Sequence, residues 1–351
     1  MKFFVQTFGC IQNTADSERV RAYFLVKGDK EVKQWQEADV VVVNTCVVRQ
    51  SAENRAYGLI RKSQKYGKKI IVTGCLVGVF NKNYKKKGET IKNFPGVEFR
   101  PIEKFEIDYE PVKKFNDTVL IPISYGCNNM CSYCIVPQAR GPEISRKMEE
   151  ILLEVDEAIR KGNRKILLIG QNVNSYGSDL KKCGYVHMGK KRFKSMFAEL
   201  LEKVAQKTLE KVSFVSNNPW DFSDDLIDVI AKYKNIDRLI HLPFQAGDDE
   251  ILKKMNRNYT KQEYLDLVKR IKNKIKDVKL STDIIIGFPG ETDEKFEETV
   301  DICRQVNFEV AYLNKYSPRP GTVSAKLYKD DVPMKVKKDR WERLEKMINQ
   351  K

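Results

Sequence analysis

The feature that most constrains this chain is the run of three cysteines formed by Cys127, Cys131 and Cys134. Their spacing places three thiols on one short loop, and the apolar residues 119–124 just before it predict a buried strand. In open α/β sheets, cofactors bind at loops that follow the carboxyl ends of strands. Three thiolates on a four-iron cube leave one iron open, whereas structural metal sites are closed by four protein ligands. The loop therefore predicts a reactive iron-sulfur centre.

A zinc knuckle that borrows a distant fourth ligand is the alternative for these cysteines. Zinc sites usually present cysteines as couples separated by two residues, and the sequence contains no second couple of that spacing. The only histidines are His187 and His241, so imidazole ligands are scarce. The iron-sulfur interpretation is therefore favoured.

With the aromatic Tyr133 directly before the last cysteine, residues 127–134 resemble the signature of the radical S-adenosylmethionine (SAM) superfamily. The resemblance implies a [4Fe-4S] cluster on Cys127, Cys131 and Cys134, whose open iron binds the amino and carboxylate groups of SAM. It also implies that an electron from the cluster cleaves SAM to methionine and a 5′-deoxyadenosyl radical. In such enzymes the cofactor carries the difficult chemistry and the protein directs it.

Three apolar runs in the amino-terminal third each end in a cysteine, at residues 3–10, 40–46 and 70–75. Each run predicts a buried parallel strand, and helices are predicted between them at 16–26 and 53–66. Because the carboxyl ends of parallel strands converge, we expect Cys10, Cys46 and Cys75 to meet at one point. This pattern predicts a second open cluster. Three separate buried cysteines with a structural role are the alternative.

From residue 119 onward the sequence changes to repeated strand-then-helix units. Strands are predicted at 120–124, 165–170, 211–216, 238–242, 280–287 and 308–315, and helices at 148–161, 197–207, 224–232, 261–275 and 294–306. Thr260 and Glu263 form a capping box for the fourth helix. Six parallel strands with right-handed crossovers predict a partial (β/α)6 barrel. The predicted fold class is α/β, with an amino-terminal open α/β three-cysteine domain followed by a radical SAM partial barrel.

Further motifs resemble the methylthiotransferases, a radical SAM family with an extra amino-terminal three-cysteine domain. The matching positions include Gly9-Cys10 with Asn13 and Asp16, Asn44 to Cys46, Gly74-Cys75, Arg140-Gly141, His241 to Pro243, Gly287 to Thr292, and Tyr316 to Thr322. The resemblance implies an auxiliary-cluster domain at 1–116, a radical SAM domain at 117–325 and a carboxyl-terminal helix at 326–351. Family members usually continue into a small RNA-binding β-barrel, which we expect to be absent here.

Residues 170–176 are most similar to enzymes that methylthiolate N6-isopentenyladenosine beside the tRNA anticodon. The resemblance implies that an auxiliary [4Fe-4S] cluster on Cys10, Cys46 and Cys75 supplies or carries sulfur. One SAM would methylate this sulfur, and a second would yield the radical that acts at the adenine C2. The residues expected to contact SAM are Tyr133, Gln171, Asn172, Asp283 and Gly287. Strand-end or turn hydrogen bonding is the alternative for these polar residues.

The charge balance favours a polyanionic partner, because 64 Lys and Arg residues against 48 acidic residues give a formal net charge of +16. A soluble lysine-rich surface is the alternative. The resemblance to methylthiotransferases implies two partners, the tRNA anticodon stem-loop and an electron donor such as flavodoxin or ferredoxin. The basic residues expected to contact the RNA are at 82, 85–87, 181–182 and 190–192. No apolar run approaches the roughly 18 residues that span a bilayer. We therefore expect a cytoplasmic enzyme without a membrane partner.

Two other function classes remain open from the sequence. A methylthiotransferase acting on threonylcarbamoyl-adenosine in tRNA, or on ribosomal protein S12, would share both cysteine sets. A non-enzymatic, basic RNA-binding protein would use the cysteines for structural metal sites and would not turn over SAM. Of the remaining cysteines, Cys183 is expected in a surface insertion at 178–194 together with His187, and Cys303 in the core of a helix.

Overall fold

The computed structural model of the protein describes residues 1–81, 93–107, 114–180, 184–187, 190–193 and 195–350. The chain forms two compact units. The first comprises Met1–Asn128, Ile135–Ile144 and Leu153–Ile169, and the second comprises Asn129–Cys134, Ser145–Leu152 and Gly170–Lys351. The domain limits expected at residues 116 and 325 stay predictions.

The first unit begins with alternating strands and helices, as the sequence predicts. These elements are β1 (Lys2–Thr7), α1 (Ile11–Val26), β2 (Lys30–Glu31), β3 (Val40–Thr45), α2 (Gln50–Lys65), β4 (Lys69–Gly74), α3 (Cys75–Asn81) and β5 (Glu98–Phe99). The strands form a five-stranded parallel sheet in the order β2-β1-β3-β4-β5. Every residue of the central strand β3 is buried, because apolar side chains pack on both faces of the sheet.

Helix α1 starts at Ile11, five residues before the predicted start at residue 16. Cys10 caps the helix in an extended conformation, and its backbone N–H donates to the Asn13 side chain at 3.3 Å. The first turns carry the buried polar residues Gln12, Asn13 and Asp16. Hydrophobic periodicity cannot detect a helix whose buried side is polar, which explains the late predicted start.

The middle of the chain continues with β6 (Lys114–Phe115), β7 (Thr118–Pro122), β8 (Ser124–Tyr125), α4 (Val136–Arg140), β9 (Ile144–Ser145), α5 (Met148–Arg160) and β10 (Lys165–Ile169). Strand β10 pairs in parallel with β7, and β6 pairs with β7 in an antiparallel hairpin. The strand predicted at 120–124 is therefore divided after Pro122, a residue that has no N–H to donate to a ladder.

The second unit contains the remaining predicted strand-helix units. Its strands are β11 (Gly184–His187), β12 (Lys190–Phe193), β13 (Lys211–Phe214), β14 (Leu239–His241), β15 (Lys279–Ile286) and β16 (Val310–Lys315). Its helices are α6 (Phe197–Ala205), α7 (Asp224–Lys232), α8 (Asp249–Lys254), α9 (Lys261–Lys274), α10 (Asp293–Val306), α11 (Val323–Leu327) and α12 (Met334–Ile348). Strands β14, β15 and β16 are parallel neighbours.

The helix termini of the second unit follow local sequence signals. Helix α9 has the predicted capping box, in which Thr260 Oγ1 accepts from the Glu263 N–H and Glu263 accepts from the Thr260 N–H. The short helix α8 was not predicted, although Asp248 caps it through a 2.9 Å bond from the Ile251 N–H. Throughout the described ranges, none of the helices combines the length and the apolar character needed to cross a bilayer.

Candidate active site

Cys10, Cys46 and Cys75 follow the carboxyl ends of three neighbouring parallel strands, as the sequence predicts. Cys46 directly follows β3, Cys75 begins α3 directly after β4, and Cys10 lies three residues beyond the end of β1. The ends of β1 and β3 are in register through Thr7 and Asn44. Cys46 and Cys75 are buried, whereas Cys10 is exposed. The three cysteines therefore gather at one edge of the sheet.

The Cys75 thiol lies in a buried, electrostatically active environment. Burial raises its pKa to about 11, the Arg140 guanidinium opposes this rise, and the neighbouring Cys10 and Cys46 thiols add to it. A cavity of about 200 Å³ lies beside Cys75 and is also lined by Asp16 and Arg140. Metals bind the thiolate form of cysteine, so a metal held by Cys75 would have to displace its proton, and the Arg140 cation favours the charged form of the sulfur.

Two asparagine side chains form hydrogen bonds around the strand ends that precede these cysteines. Asn13 Nδ2 donates to Asn44 Oδ1 and to the Thr45 carbonyl, each at 3.1 Å. Asn44 Nδ2 donates to the Asn13 carbonyl at 2.8 Å and to Ser17 Oγ at 2.9 Å. Asn13 Oδ1 also lies 3.4 Å from the Cys10 sulfur. These buried bonds fix the backbone around two of the cysteines.

Cys127 is held in place by its backbone and by the glycine before it. Its N–H donates to the Gly141 carbonyl at 3.1 Å. Gly126 adopts φ 71°, and a Cβ at this position would lie 2.0 Å from the Pro142 carbonyl oxygen. Only glycine permits this close approach of two backbone segments. The turn that presents Cys127 therefore depends on Gly126.

The remaining two cysteines of the loop lie on a tight turn in the second unit. The Cys134 N–H donates to the Cys131 carbonyl at 3.0 Å, and the Ser132 carbonyl accepts from the Ser324 N–H at 2.8 Å. Burial raises the pKa of Tyr133 well above its ordinary value, with the two thiols contributing in the same direction and an arginine opposing. The tyrosine therefore stays neutral.

The donor chemistry of the two cysteine sets is uniform. All six side chains are thiols, and [4Fe-4S] clusters are held by cysteine thiolates. The all-thiolate donor sets fit iron-sulfur clusters, and the ligand assignment of the six cysteines stays a prediction.

Buried amide oxygens without partners mark the region around the predicted SAM contacts. Asn172 Nδ2 donates to Asp221 Oδ2 at 2.8 Å, but its Oδ1 is buried and has no hydrogen-bond partner in the described structure. The same holds for Oδ1 of Asn217 and of Asn218, which the sequence did not single out as SAM contacts. Unpaired buried acceptors are costly, and the ammonium and ribose hydroxyls of SAM are suitable donors. Gln171, adjacent to Asn172, is partly exposed.

Asp283 and Gly287, also expected to contact SAM, have partners within the protein. Asp283 Oδ2 lies 3.2 Å from His241 Nε2, and the Gly287 N–H donates to Glu291 Oε2 at 2.7 Å. A Cβ at Gly287 would lie 2.4 Å from Cγ of Lys337, so packing also requires glycine there. Asp283 lies within β15 rather than at its end, whereas Gly287 directly follows the strand, so hydrogen bonds within the protein account for both residues. A role in SAM binding stays a prediction for both residues.

An aromatic ring that the sequence analysis missed is exposed beside this pair. Tyr312 lies opposite Asp283 in the β15–β16 ladder, and the residue is 51% exposed. Its ring centre is 5.7 Å from that of His241, in an edge-on arrangement. Alternation along β16 is the signal that could have identified it, since Ala311 is buried and Tyr312 is not. Exposed aromatic rings are surfaces on which unpaired bases stack.

Several other predicted features have simpler outcomes. Cys303 is buried within α10, as expected for a core residue, and burial raises its pKa to about 12. The structure does not describe Cys183 or the basic residues at 82, 85–87 and 181–182. It also does not describe the side chains of His187 and of residues 190–192. Their predicted roles therefore rest on the sequence.

Comparison with known families assigns the class of the protein. A model of the radical SAM superfamily matches residues 121–303, and a model of the uncharacterized protein family UPF0004 matches residues 2–96. The chain is 40% identical to a tRNA-2-methylthio-N(6)-dimethylallyladenosine synthase of Clostridium botulinum (strain Okra / Type B1), over 99% of this chain and 82% of the relative. A synthase of the same name from Thermotoga petrophila is 39% identical over 100% and 83%, respectively.

These matches define a radical SAM enzyme. Within that superfamily, the chain belongs to the family of tRNA-2-methylthio-N(6)-dimethylallyladenosine synthases, which confirms the resemblance to methylthiotransferases.

The fold of this chain is also similar to those of solved radical SAM enzymes. The radical SAM methyltransferase TsrM from Kitasatospora setae has a TM-score of 0.62 at 14% identity, covering 92% of this chain and 76% of TsrM. The cobalamin-dependent radical SAM enzyme OxsB has a TM-score of 0.53 at 9% identity, covering 99% of this chain and 61% of OxsB. At these identities the comparison concerns fold alone. The predicted α/β radical SAM architecture is confirmed.

Proposed function

We propose that this protein is an enzyme that inserts a methylthio group at C2 of N6-isopentenyladenosine, also called N6-dimethylallyladenosine, beside the anticodon of tRNA. The observation that carries the proposal is the 40% identity to a synthase of this name over 99% of the chain. The two cysteine triplets, each on loops at strand ends, support it, because the reaction requires both radical formation and delivery of sulfur.

Each triplet has its own task in this proposal. Cys127, Cys131 and Cys134 hold the [4Fe-4S] cluster that binds SAM, and Cys10, Cys46 and Cys75 hold the auxiliary [4Fe-4S] cluster. When bound, the clusters and SAM supply the electron, the radical and the sulfur that a strong aryl C–H bond demands. Gly126, Asn13 and Asn44 position the cysteines, and Arg140 favours the thiolate of Cys75.

The buried amides provide the site for SAM. Asn172, Asn217 and Asn218 each present an unpaired oxygen that accepts a hydrogen bond from the ammonium or ribose hydroxyl groups. Tyr133 and Gln171 complete the predicted contacts. These side chains orient SAM and exclude water from it, while the cluster carries out the chemistry.

The substrate base must leave its stack to reach such a site. The exposed ring of Tyr312 offers a stacking surface for the base, and the adjacent His241 and Asp283 offer polar groups for its edge. The net charge of +16 supplies the attraction to the phosphate backbone, which positions RNA without selecting a base. The anticodon stem-loop is the part of tRNA that these surfaces would contact.

The cellular setting follows from the substrate. In this proposal the protein acts in the cytoplasm, where tRNA is found, and receives electrons from a small redox protein such as a flavodoxin or ferredoxin. Oxygen sensitivity follows from open clusters, whose irons lack a fourth protein ligand.

The test is mass spectrometry of nucleosides from isopentenylated tRNA after anaerobic incubation with reconstituted protein, SAM and dithionite. Parallel reactions contain threonylcarbamoyl-adenosine tRNA or ribosomal protein S12. The proposal predicts 2-methylthio-isopentenyladenosine and no product in the parallel reactions. Product only in a parallel reaction would assign another substrate. Zinc in place of iron, without SAM turnover, would favour the non-enzymatic RNA-binding protein.

A further inference from the structure

The loop that carries Cys131 is fastened to the short segment that follows helix α8. The Ser132 N–H donates to the Met255 carbonyl at 2.9 Å. The Asn256 side-chain amide donates to the Met130 carbonyl at 2.8 Å. The segment therefore fixes the loop backbone on both sides of Cys131.

The next residue of this segment, Arg257, reaches the sulfur itself. Its Nη1 lies 3.6 Å from Cys131 Sγ, within the range of an N–H···S hydrogen bond. Nη2 donates to the Pro243 carbonyl at 3.0 Å, and Nε donates to the Tyr259 hydroxyl at 3.1 Å. The guanidinium carbon also lies 4.6 Å from the ring centre of Trp220. These contacts hold the guanidinium in one orientation, with one edge facing the sulfur.

The buried guanidinium of Arg257 forms no salt bridge with any carboxylate that the structure describes. The residue is only 8% exposed, and a buried cation is costly without an anion beside it. Among the residues that the structure describes, no Asp or Glu carboxylate forms a salt bridge with this guanidinium. Cys131 is the neighbouring group that becomes anionic when it binds a metal. The arginine therefore matches a metal-bound thiolate better than a neutral thiol.

We infer that Arg257 is a positioning residue that raises the reduction potential of the SAM-binding cluster through its charge and its hydrogen bond to the Cys131 sulfur. The inference rests on the proposed function, because it requires the cluster on Cys127, Cys131 and Cys134. Reduction adds one negative charge to the cluster, and a fixed cation stabilises that charge. Hydrogen bonds to ligand sulfurs and the surrounding charge are among the factors that set cluster potentials.

The test is an anaerobic redox titration of the reconstituted full chain. Electron paramagnetic resonance monitors the titration, through the cluster signal that changes when SAM is added. In Arg257→Gln the ratio of reduced to oxidised cluster, measured at the midpoint potential of the unaltered protein, should fall about tenfold, which corresponds to about 59 mV for one electron. Arg257→Lys keeps the positive charge but lacks the planar guanidinium that donates to the sulfur. Its ratio of reduced to oxidised cluster should therefore lie between those of the unaltered protein and Arg257→Gln.

Asn256→Gly is the matched control. Glycine tolerates the φ of 54° at this position and removes the side-chain bond to Met130, but leaves Arg257 unchanged. Its ratio should stay within twofold of the unaltered protein. An unchanged potential in Arg257→Gln, or an equal shift in Asn256→Gly, would overturn the role of Arg257. A wild-type potential in Arg257→Lys would contradict the contribution of the hydrogen bond. Absence of any SAM-responsive cluster in the unaltered protein would instead overturn the proposed function, and this inference with it.

Discussion

Arg140 and Asp16 form a buried ion pair in the first unit, with Arg140 Nη2 2.9 Å from Asp16 Oδ2. Their side chains are only 10% and 6% exposed, respectively. Asp16 lies on the helix that begins after Cys10, and Arg140 ends helix α4, which follows the second cysteine triplet in sequence. The pair lines the cavity beside Cys75 and therefore contributes both to the packing of the unit and to the charge near the predicted auxiliary cluster.

Removing one partner of this pair should be costly. Asp16→Asn leaves the Arg140 guanidinium buried without its carboxylate, so we expect the free energy of unfolding to fall by about 3–5 kcal/mol. Urea denaturation of the unaltered and variant proteins measures the difference. Asp117→Asn, which breaks the exposed pair with Lys165, is the control and should leave the stability unchanged within error. Equal effects of the two variants would contradict the importance of the buried pair.

A glycine comparison tests the turn that presents Cys127. Gly126→Ala introduces a Cβ 2.0 Å from the Pro142 carbonyl oxygen, whereas a Cβ at Gly28 meets no atom within 4 Å. Both glycines have positive φ, so both variants carry backbone strain of about 1–2 kcal/mol. We expect Gly126→Ala to lower the free energy of unfolding by at least about 3 kcal/mol more than Gly28→Ala does. We also expect it to lower the iron content after reconstitution. Similar melting temperatures and iron contents for the two variants would refute this account.

The unpaired oxygen of Asn172 predicts a specific effect on SAM binding. Asn172→Ala removes the acceptor, so we expect the Kd for SAM to rise about 5- to 150-fold, corresponding to about 1–3 kcal/mol. Equilibrium binding to the reconstituted protein provides the measurement. Asn163→Ala removes another buried asparagine, which donates to the Ala158 carbonyl in the first unit, and should leave the Kd unchanged. Equal Kd values for Asn172→Ala and the unaltered protein would remove this residue from the SAM site.

Glu291 predicts a pH dependence of stability. Burial raises its pKa from 4.5 to about 7, although the Gly287 N–H and the Arg340 guanidinium favour the carboxylate. The folded protein therefore binds more protons than the unfolded chain between these values. The stabilising contribution of the protonated group is present below about pH 4.5 and is lost as the pH rises through about 7. Because each pKa unit corresponds to about 1.4 kcal/mol, the loss is about 3 kcal/mol.

Glu291→Gln stays neutral and should not show this loss. We expect the stability of the unaltered protein, relative to the variant, to fall by about 2.5 kcal/mol between about pH 5 and about pH 8, which is most of the full loss. Urea denaturation at both pH values measures it. Glu294→Gln, an exposed change in the first turn of helix α10, three residues after Glu291, is the control and should not reproduce this fall. A relative stability that rises with pH would show that pairing with Arg340 outweighs burial.

The sequence predicted the fold better than the interactions of the site. Apolar runs identified β1, β3 and β4, and their cysteines do lie at neighbouring strand ends, because burial on both faces produces a strong local signal. The bonds of Asn13 to Asn44, and of Arg257 to Cys131, join residues that are distant in the chain. No periodicity encodes such pairs, since a polar side chain in a predicted loop or helix end has many partners available until the fold is known.

The predicted SAM contacts illustrate the same limit. A predicted strand-end position suggested Asp283, but the structure places it within β15 and pairs its carboxylate with His241. Asn217 and Asn218, which were not predicted to contact SAM, have buried oxygens that remain unpaired. Position at a strand end follows from hydrophobic pattern. Whether the polar atoms of a side chain already have hydrogen-bond partners depends on the tertiary structure, which only the structure reveals.

The central claim is that the two cysteine sets divide the reaction between them. The most direct test measures 5′-deoxyadenosine and 2-methylthio-isopentenyladenosine in the same anaerobic reaction with isopentenylated tRNA, for Cys131→Ala and Cys46→Ala. We predict that Cys131→Ala forms neither compound, and that Cys46→Ala still forms 5′-deoxyadenosine but no methylthiolated nucleoside. Formation of the methylthiolated nucleoside by Cys46→Ala would contradict the two-cluster account.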